Sequence, residues 1–283
     1  MEILSVKELN LSIEGKELIK DVSFSISSGD VVLLTGPNGC GKSTFIKVLL
    51  GAAFDYKDLD YSNSTVLYRQ SHSILSSEKE NAFFRNNIVY VSQEDEFESD
   101  SVLDCFVNSI IGFVDKNPER YVFDFIKQFE IQGCFYPAAE KTHLARKAIR
   151  LLKNLGIKPN QATIEEVKAA SYLSMRIKRM SGGQKKLTNI FSNLIRYANC
   201  DLIILDEPLN NLDYRNVRAF SNILTKIYRI KPDLAIILVT HCRSIPIIRR
   251  IIEIDPVQKK LLDGPAYHCN TCFGQIDENG LYV

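Results

Sequence analysis

With 283 residues, 45% of them hydrophobic and 24% charged, the chain is long enough for one large domain or two small ones and has the composition of a soluble globular protein. A formal net charge of +1 excludes bulk attraction to nucleic acid or to anionic lipid. Seven cysteines, an odd number, read as reduced thiols in a chain with no export signal.

The opening MEILSVKELNLSIEGKE alternates apolar and polar residues and has no secretory h-region. Ile3, Val6, Leu9, Leu11 and Ile13, then Val22, Phe24 and Ile26, suit two half-buried antiparallel strands joined by a turn at Glu14-Gly15-Lys16. The run VVLLT after Asp30 is apolar throughout, as in a parallel strand covered on both faces. Ser43 to Leu50 reads as a helix closed by Gly51. From Phe54 to Arg85 the chain is polar and irregular, with weak strand signals near Thr65 to Tyr68, and Asn87 to Ser92 is again a strand.

Between Val102 and Lys178 the period becomes helical. VLDCFVNSIIGFV, YVFDFIKQF and HLARKAIRLLKNL place apolar residues three and four apart, with Pro118, Pro137 and Pro159 at the joins. A helix QKKLTNIFSNLIRYA, a strand LIILD, a helix from Asn216 to Tyr228 and the strands AIILVT and IIEID complete a strand–helix alternation. This predicts an α/β fold: a mostly parallel core sheet, an N-terminal antiparallel β-subdomain and an inserted helical subdomain. The apolar strand runs are too short to cross a bilayer, so any membrane pore belongs to another chain.

Three motifs carry chemistry. Gly36-Pro37-Asn38-Gly39-Cys40-Gly41-Lys42-Ser43-Thr44 fits the phosphate-binding loop between a strand and a helix. Its backbone amides and the following helix N-terminus should cradle phosphates, with Lys42 expected to reach the β- and γ-phosphates, Ser43 to ligate Mg²⁺ and Thr44 to add a phosphate contact. The strand LIILD ends in Asp206, where ligands of open α/β sheets bind, and Glu207 follows. Asp206 would hold Mg²⁺ through water, and Glu207 is the candidate general base, polarising the attacking water. Ser181-Gly182-Gly183-Gln184 opens a helix, leaving a serine and two glycine amides free to face an anion.

Taken together these motifs resemble the ATP-binding cassette (ABC) ATPases over about Ile3 to Gly264. The resemblance implies the P-loop NTPase form of the fold, with a cassette over 1–264 (core 1–92 and 182–264, helical subdomain 93–181) and a tail over 265–283. It implies ATP and Mg²⁺ as cofactors, with Gln93 as the Q-loop residue sensing γ-phosphate and metal. His241 matches the switch histidine that binds the γ-phosphate, and Asp213 the D-loop residue that communicates across a dimer. Ser181 to Gln184 would complete the site of a second cassette, identical or not, in a head-to-tail dimer. Met180 stands where leucine is commoner, a volume-conserving change.

The chain departs from the family in a few places. Ile13 occupies the position where an aromatic residue usually stacks on adenine, so base selectivity weakens and GTP use is conceivable. The stretch from Gln93 to Ser181 is long, but lacks the heptads of a coiled coil. Glu94, Asp95, Glu96, Glu98 and Asp100 form an acidic run that is either a solvated loop or a docking surface for a basic helix. Cys269 and Cys272, with His268, leave metal binding, redox work and an uncommitted tail all open.

The leading function is an ATPase energising a membrane transporter whose transmembrane subunit is separate. The chain would then be cytoplasmic, held at the inner face of the cell membrane through that partner, and in no contact with nucleic acid. The alternative is a soluble ABC ATPase driving a cytosolic assembly, of the iron–sulfur or nucleic-acid maintenance type. A non-hydrolysing regulatory subunit would lack Glu207 or His241, and both are present.

Overall fold

The computed structural model describes residues 1–51, 59–60, 65–69, 72–73, 86–93, 99–135, 146–266 and 281. The acidic run at 94–98, Pro137 and the Cys269–Cys272 pair lie outside these residues. The chain forms two compact units: one of residues 1–93, 199–209 and 228–283, the other of 94–198 and 210–227.

The first unit contains two sheets. A long hairpin pairs β1 (Glu2–Ile13) with β2 (Lys16–Ser27). Its two-residue turn has φ of +50° at Glu14 and +74° at Gly15, both left-handed, which matches the twist of the flanking strands. Short strands β4 (Leu59–Asp60), β5 (Thr65–Tyr68) and β6 (His72–Ser73) extend this antiparallel sheet. The second sheet contains β3 (Val31–Thr35), β7 (Ile88–Val91), β8 (Leu202–Asp206), β9 (Ala235–Val239), β10 (Arg250–Asp255) and β11 (Lys260–Pro265). They are ordered β11-β10-β3-β9-β8-β7, parallel except for β11.

Every residue of β3, β8 and β9 is buried, which explains their unbroken apolar runs. Alternate side chains, Val32 and Leu34, Ile204, Ile237 and Val239, share a core cluster with the hairpin's Leu4, Val6 and Leu9. Helix α1 (Lys42–Leu49) inserts Phe45, Ile46, Val48 and Leu49 into the same cluster. It ends as the sequence suggests: Gly51 has φ +64° and donates its N–H to Val48 O at 3.0 Å.

One buried polar link ties the two sheets. Tyr68 on β5, fully buried, donates its hydroxyl to the Asp201 carboxylate just before β8, and Arg69 pairs with the same carboxylate at 2.6 Å. Burial, then the Asp201 hydrogen bond, push the Tyr68 hydroxyl above the ordinary phenol range.

The second unit is helical: α2 (Val102–Ser109), α3 (Pro118–Gln128), α4 (Gln132–Phe135), α5 (Arg146–Asn154), α6 (Ile164–Leu173), α7 (Gly182–Leu194) and the greater part of α8 (Tyr214–Ile230). The apolar run from Val102 does not form one helix. Ser109 bonds back to Cys105 O and a turn follows with φ +81° at Gly112. Pro118 opens α3 at its first turn, where its missing N–H leaves nothing unsatisfied. Phe106 packs edge-on against Tyr172 and tilted against Phe125, which meets Phe129, so aromatic rings fill the centre of this unit.

Replacing Tyr68 with Phe removes the hydroxyl and leaves Asp201 with Arg69 alone. We expect a loss of about 1–2 kcal/mol in urea unfolding; an unchanged midpoint would show that the link between the sheets carries no stability.

Candidate active site

Strand β3 delivers the chain into a loop whose shape only glycine permits at two points. At Gly36, with φ +145°, a Cβ would lie 2.9 Å from Cys40 Sγ and 3.0 Å from the Ile254 carbonyl. At Gly41, with φ +99°, a Cβ would lie 3.0 Å from Leu18 Cδ1, so the hairpin packs directly on the loop. The loop wraps around the Lys42 ammonium, which donates to the carbonyls of Gly36 at 2.9 Å and Pro37 at 3.1 Å. Pro37, Asn38 and Gly39 are exposed, Cys40 is buried, and Ser43 and Thr44 are half-buried at the first turn of α1.

Strand β8 lies between β7 and β9 and ends in Asp206, which is only 2% exposed. Burial pushes its carboxyl above the usual range, opposed by hydrogen bonds from Ser43 and Tyr90 and by Lys42 and Lys47. The Tyr90 hydroxyl is 3.5 Å from Oδ2, whereas Oδ1 is buried without a hydrogen-bond partner. Glu207, 8% exposed, donates its N–H to Val239 O at 2.8 Å but has a left-handed φ of +48°. Such a backbone costs about 1–3 kcal/mol and is concentrated at functional sites. His241, following β9, has Nε2 3.8 Å from Glu207 Oε1 and 3.2 Å from Asn38 Oδ1. Gln93 is exposed two residues beyond β7.

The loop, Asp206, Glu207 and His241 are therefore gathered at the C-terminal ends of adjacent parallel strands, the usual ligand crevice of such sheets. Tyr90 is a member that motif reading missed; its one signal is its position in β7, one strand away from Asp206. Ile13, at the tip of β1, is half-buried against the core cluster.

The donor set suits one metal class. A buried carboxylate oxygen without a partner beside a serine hydroxyl is a pair of hard oxygen ligands, which fits a hydrated Mg²⁺ completed by phosphates. Among the described residues no cluster of three or more His, Cys, Asp or Glu could hold a metal by itself.

In the helical unit, Ser181 caps α7. Its hydroxyl accepts the Gln184 N–H at 3.3 Å while the Gln184 side chain accepts the Ser181 N–H at 3.1 Å, a reciprocal capping box that fixes the serine. Met180 is buried below it, with Thr188 and Tyr172 continuing the polar contacts inward. A Cβ at Gly182 would meet open space, but one at Gly183 would lie 3.3 Å from Asn216 Nδ2. Asn216 in turn donates to both oxygens of Asp213, from its backbone at 2.9 Å and its side chain at 3.2 Å. Asp213 and the start of α7 thus share a neighbour that no motif marks.

The family model described as "ABC transporter" matches residues 19–210, more than half of the chain. The chain belongs to this family. It is an ABC ATPase. The zinc uptake system ATP-binding protein ZurA of Listeria innocua is 24% identical over 273 residues, covering 94% of this chain and 87% of that relative. Among solved structures, cbiO1 from Clostridium perfringens, part of the ABC transporter complex cbiONQ, superposes with a TM-score of 0.64 at 23% identity, over 93% of this chain and 88% of that one. The cassette MJ0796, in a dimeric post-hydrolysis state with ADP and Pi, gives 0.66 at 16% identity, over 94% and 100%. At these identities the structures establish the fold of the ABC ATPase.

Gly36→Ala tests the loop most simply. The strained φ and the contacts with Cys40 and Ile254 should displace the loop carbonyls from Lys42, weakening ATP affinity by about tenfold or more in a fluorescent-nucleotide titration. Unchanged affinity would show that the loop tolerates a side chain there.

Proposed function

We propose that the chain is the ATP-hydrolysing subunit of a membrane transporter whose membrane-spanning part is a separate chain, and that it acts as a head-to-tail dimer with two ATP-binding sites. The observation that carries the catalytic part is the buried, left-handed Glu207 facing His241 beside the glycine loop. The transporter part is supported by relatives named as uptake-system ATP-binding proteins and by the absence, among the described residues, of any helix long and apolar enough to cross a membrane.

In this reading Lys42 and the loop amides hold the β- and γ-phosphates of ATP. Ser43 and Asp206, joined by Gln93, would hold Mg²⁺, and the ion would supply positive charge to the phosphates. Glu207 orients a water for in-line attack and takes its proton. His241 donates a hydrogen bond to the γ-phosphate from the position it shares with Asn38. Ser181, Gly182, Gly183 and Gln184 face the γ-phosphate of ATP bound to the opposing chain, and Asp213 carries the state of one site to the other. Closed two-fold symmetry is the usual outcome for such a pair. The half-buried Ile13 offers apolar contact to the base without stacking, which leaves ATP-over-GTP preference weak.

Glu207→Gln keeps the shape and removes the base. Turnover should fall by about a hundredfold or more while ATP binding persists and an ATP-bound dimer accumulates on size exclusion. Normal hydrolysis by this variant would refute the assignment of the base. Co-purification with a multi-span membrane protein supports the transporter part, whereas a wholly non-membrane partner would sink it.

A further inference from the structure

Strand pairing aims one further side chain at the site. In the parallel pair of β7 and β8, Tyr90 stands opposite Ile204. Asp206 lies two residues beyond Ile204 and therefore shares its face of the sheet, which is also the face of Tyr90. A diagonal of this kind is within reach of a long aromatic side chain. The face is that of the core cluster, to which Ile204 and the α1 residues Phe45 and Ile46 belong, and Tyr90 packs against it. Apolar neighbours thus hold the ring, and its hydroxyl reaches the end of β8.

The two oxygens of Asp206 are in different surroundings. Oδ2 is 3.5 Å from the Tyr90 hydroxyl, while Oδ1 is buried and accepts no hydrogen bond. A carboxylate turns easily about its last torsion, which is broad and two-fold. With Asp206 only 2% exposed, little water reaches the group to hold either oxygen in place. A donor on one oxygen then decides which way the other faces. Ser43 also hydrogen-bonds to Asp206, but Ser43 is itself assigned to the metal. Tyr90 is the donor that stays independent of the ion. At 3.5 Å its bond is long, of the kind that tightens when a bound substrate draws the groups of a site together.

We propose that Tyr90 is a positioning residue for the metal: its hydroxyl holds Oδ2 so that the unpartnered Oδ1 is presented to the Mg²⁺ shell. The inference rests on the reading of Asp206 as a holder of Mg²⁺ and adds a residue that acts only through that carboxylate. Partners that orient a metal ligand contribute on the order of ten- to a hundredfold to metal affinity.

The test separates metal affinity from nucleotide affinity. The full chain is titrated with a fluorescent, non-hydrolysable ATP analogue, once in EDTA and once in saturating Mg²⁺. The ratio of the two affinities measures what the metal adds. Tyr90→Phe should lower that ratio about tenfold and leave the affinity in EDTA unchanged. Combined with Asp206→Asn it should have no further effect, because the hydroxyl works through that carboxylate. Tyr90→Leu, which also lacks the hydroxyl, serves if the phenylalanine variant does not fold. Equal loss in EDTA and in Mg²⁺ would overturn the proposal, since Tyr90 would then only support the fold around the nucleotide. An unchanged ratio in Tyr90→Phe, with the ratio lost in Asp206→Asn, would overturn it too and leave the Asp206 reading standing. A full ratio in Asp206→Asn would instead remove that reading, and this proposal with it.

Discussion

Burial of β3, β8 and β9 on both faces is the constraint on which the rest depends. A strand covered on both sides can carry almost no charge along its length. The charged and polar groups its chain brings with it therefore emerge at the strand ends. Lys42 after β3, Asp206 and Glu207 at the end of β8, and His241 after β9 are those groups, all at the C-terminal edge. The sheet that makes the core thus also gathers the reactive side chains.

The same edge explains the electrostatics. Asp206 is so nearly excluded from water that its carboxyl is pushed up, and Ser43, Tyr90 and two lysines only partly offset this. An oxygen left without a partner in such a place is costly for an isolated chain. A divalent ion would relieve that cost, which couples metal binding to the local fold. Glu207 carries a second cost, in backbone conformation, at the residue that the proposed chemistry needs most.

Much of this was legible in the sequence because phosphate chemistry forces residue types at fixed spacing. Gly36, Gly41 and Lys42 are dictated by a loop that must wrap a cation without side chains in the way, and the apolar runs before them announce parallel strands. The Glu14–Gly15 turn and the Gly51 stop were equally visible, since each needs a left-handed residue. What escaped were long-range pairings with no spacing rule. Tyr68 meets Asp201 across 133 positions, Tyr90 reaches Asp206, and Asn216 stands against Gly183 while holding Asp213. The break of the first helical run at Ser109 was hidden because its apolar period continues past the turn. The association of α7 with the helical unit also follows from packing and not from pattern.

The capping box at Ser181 gives the proposed dimer its sharpest test. If Ser181 acts only on ATP held by the opposing chain, two inactive variants should complement each other. A Lys42→Ala chain retains its Ser181 element, and a Ser181→Arg chain retains its glycine loop. Mixed after each has been shown inactive alone, they should regain about a quarter of wild-type hydrolysis, because half of the dimers are mixed and each of these has one intact site. A mixture that forms dimers yet stays inactive would contradict the shared site.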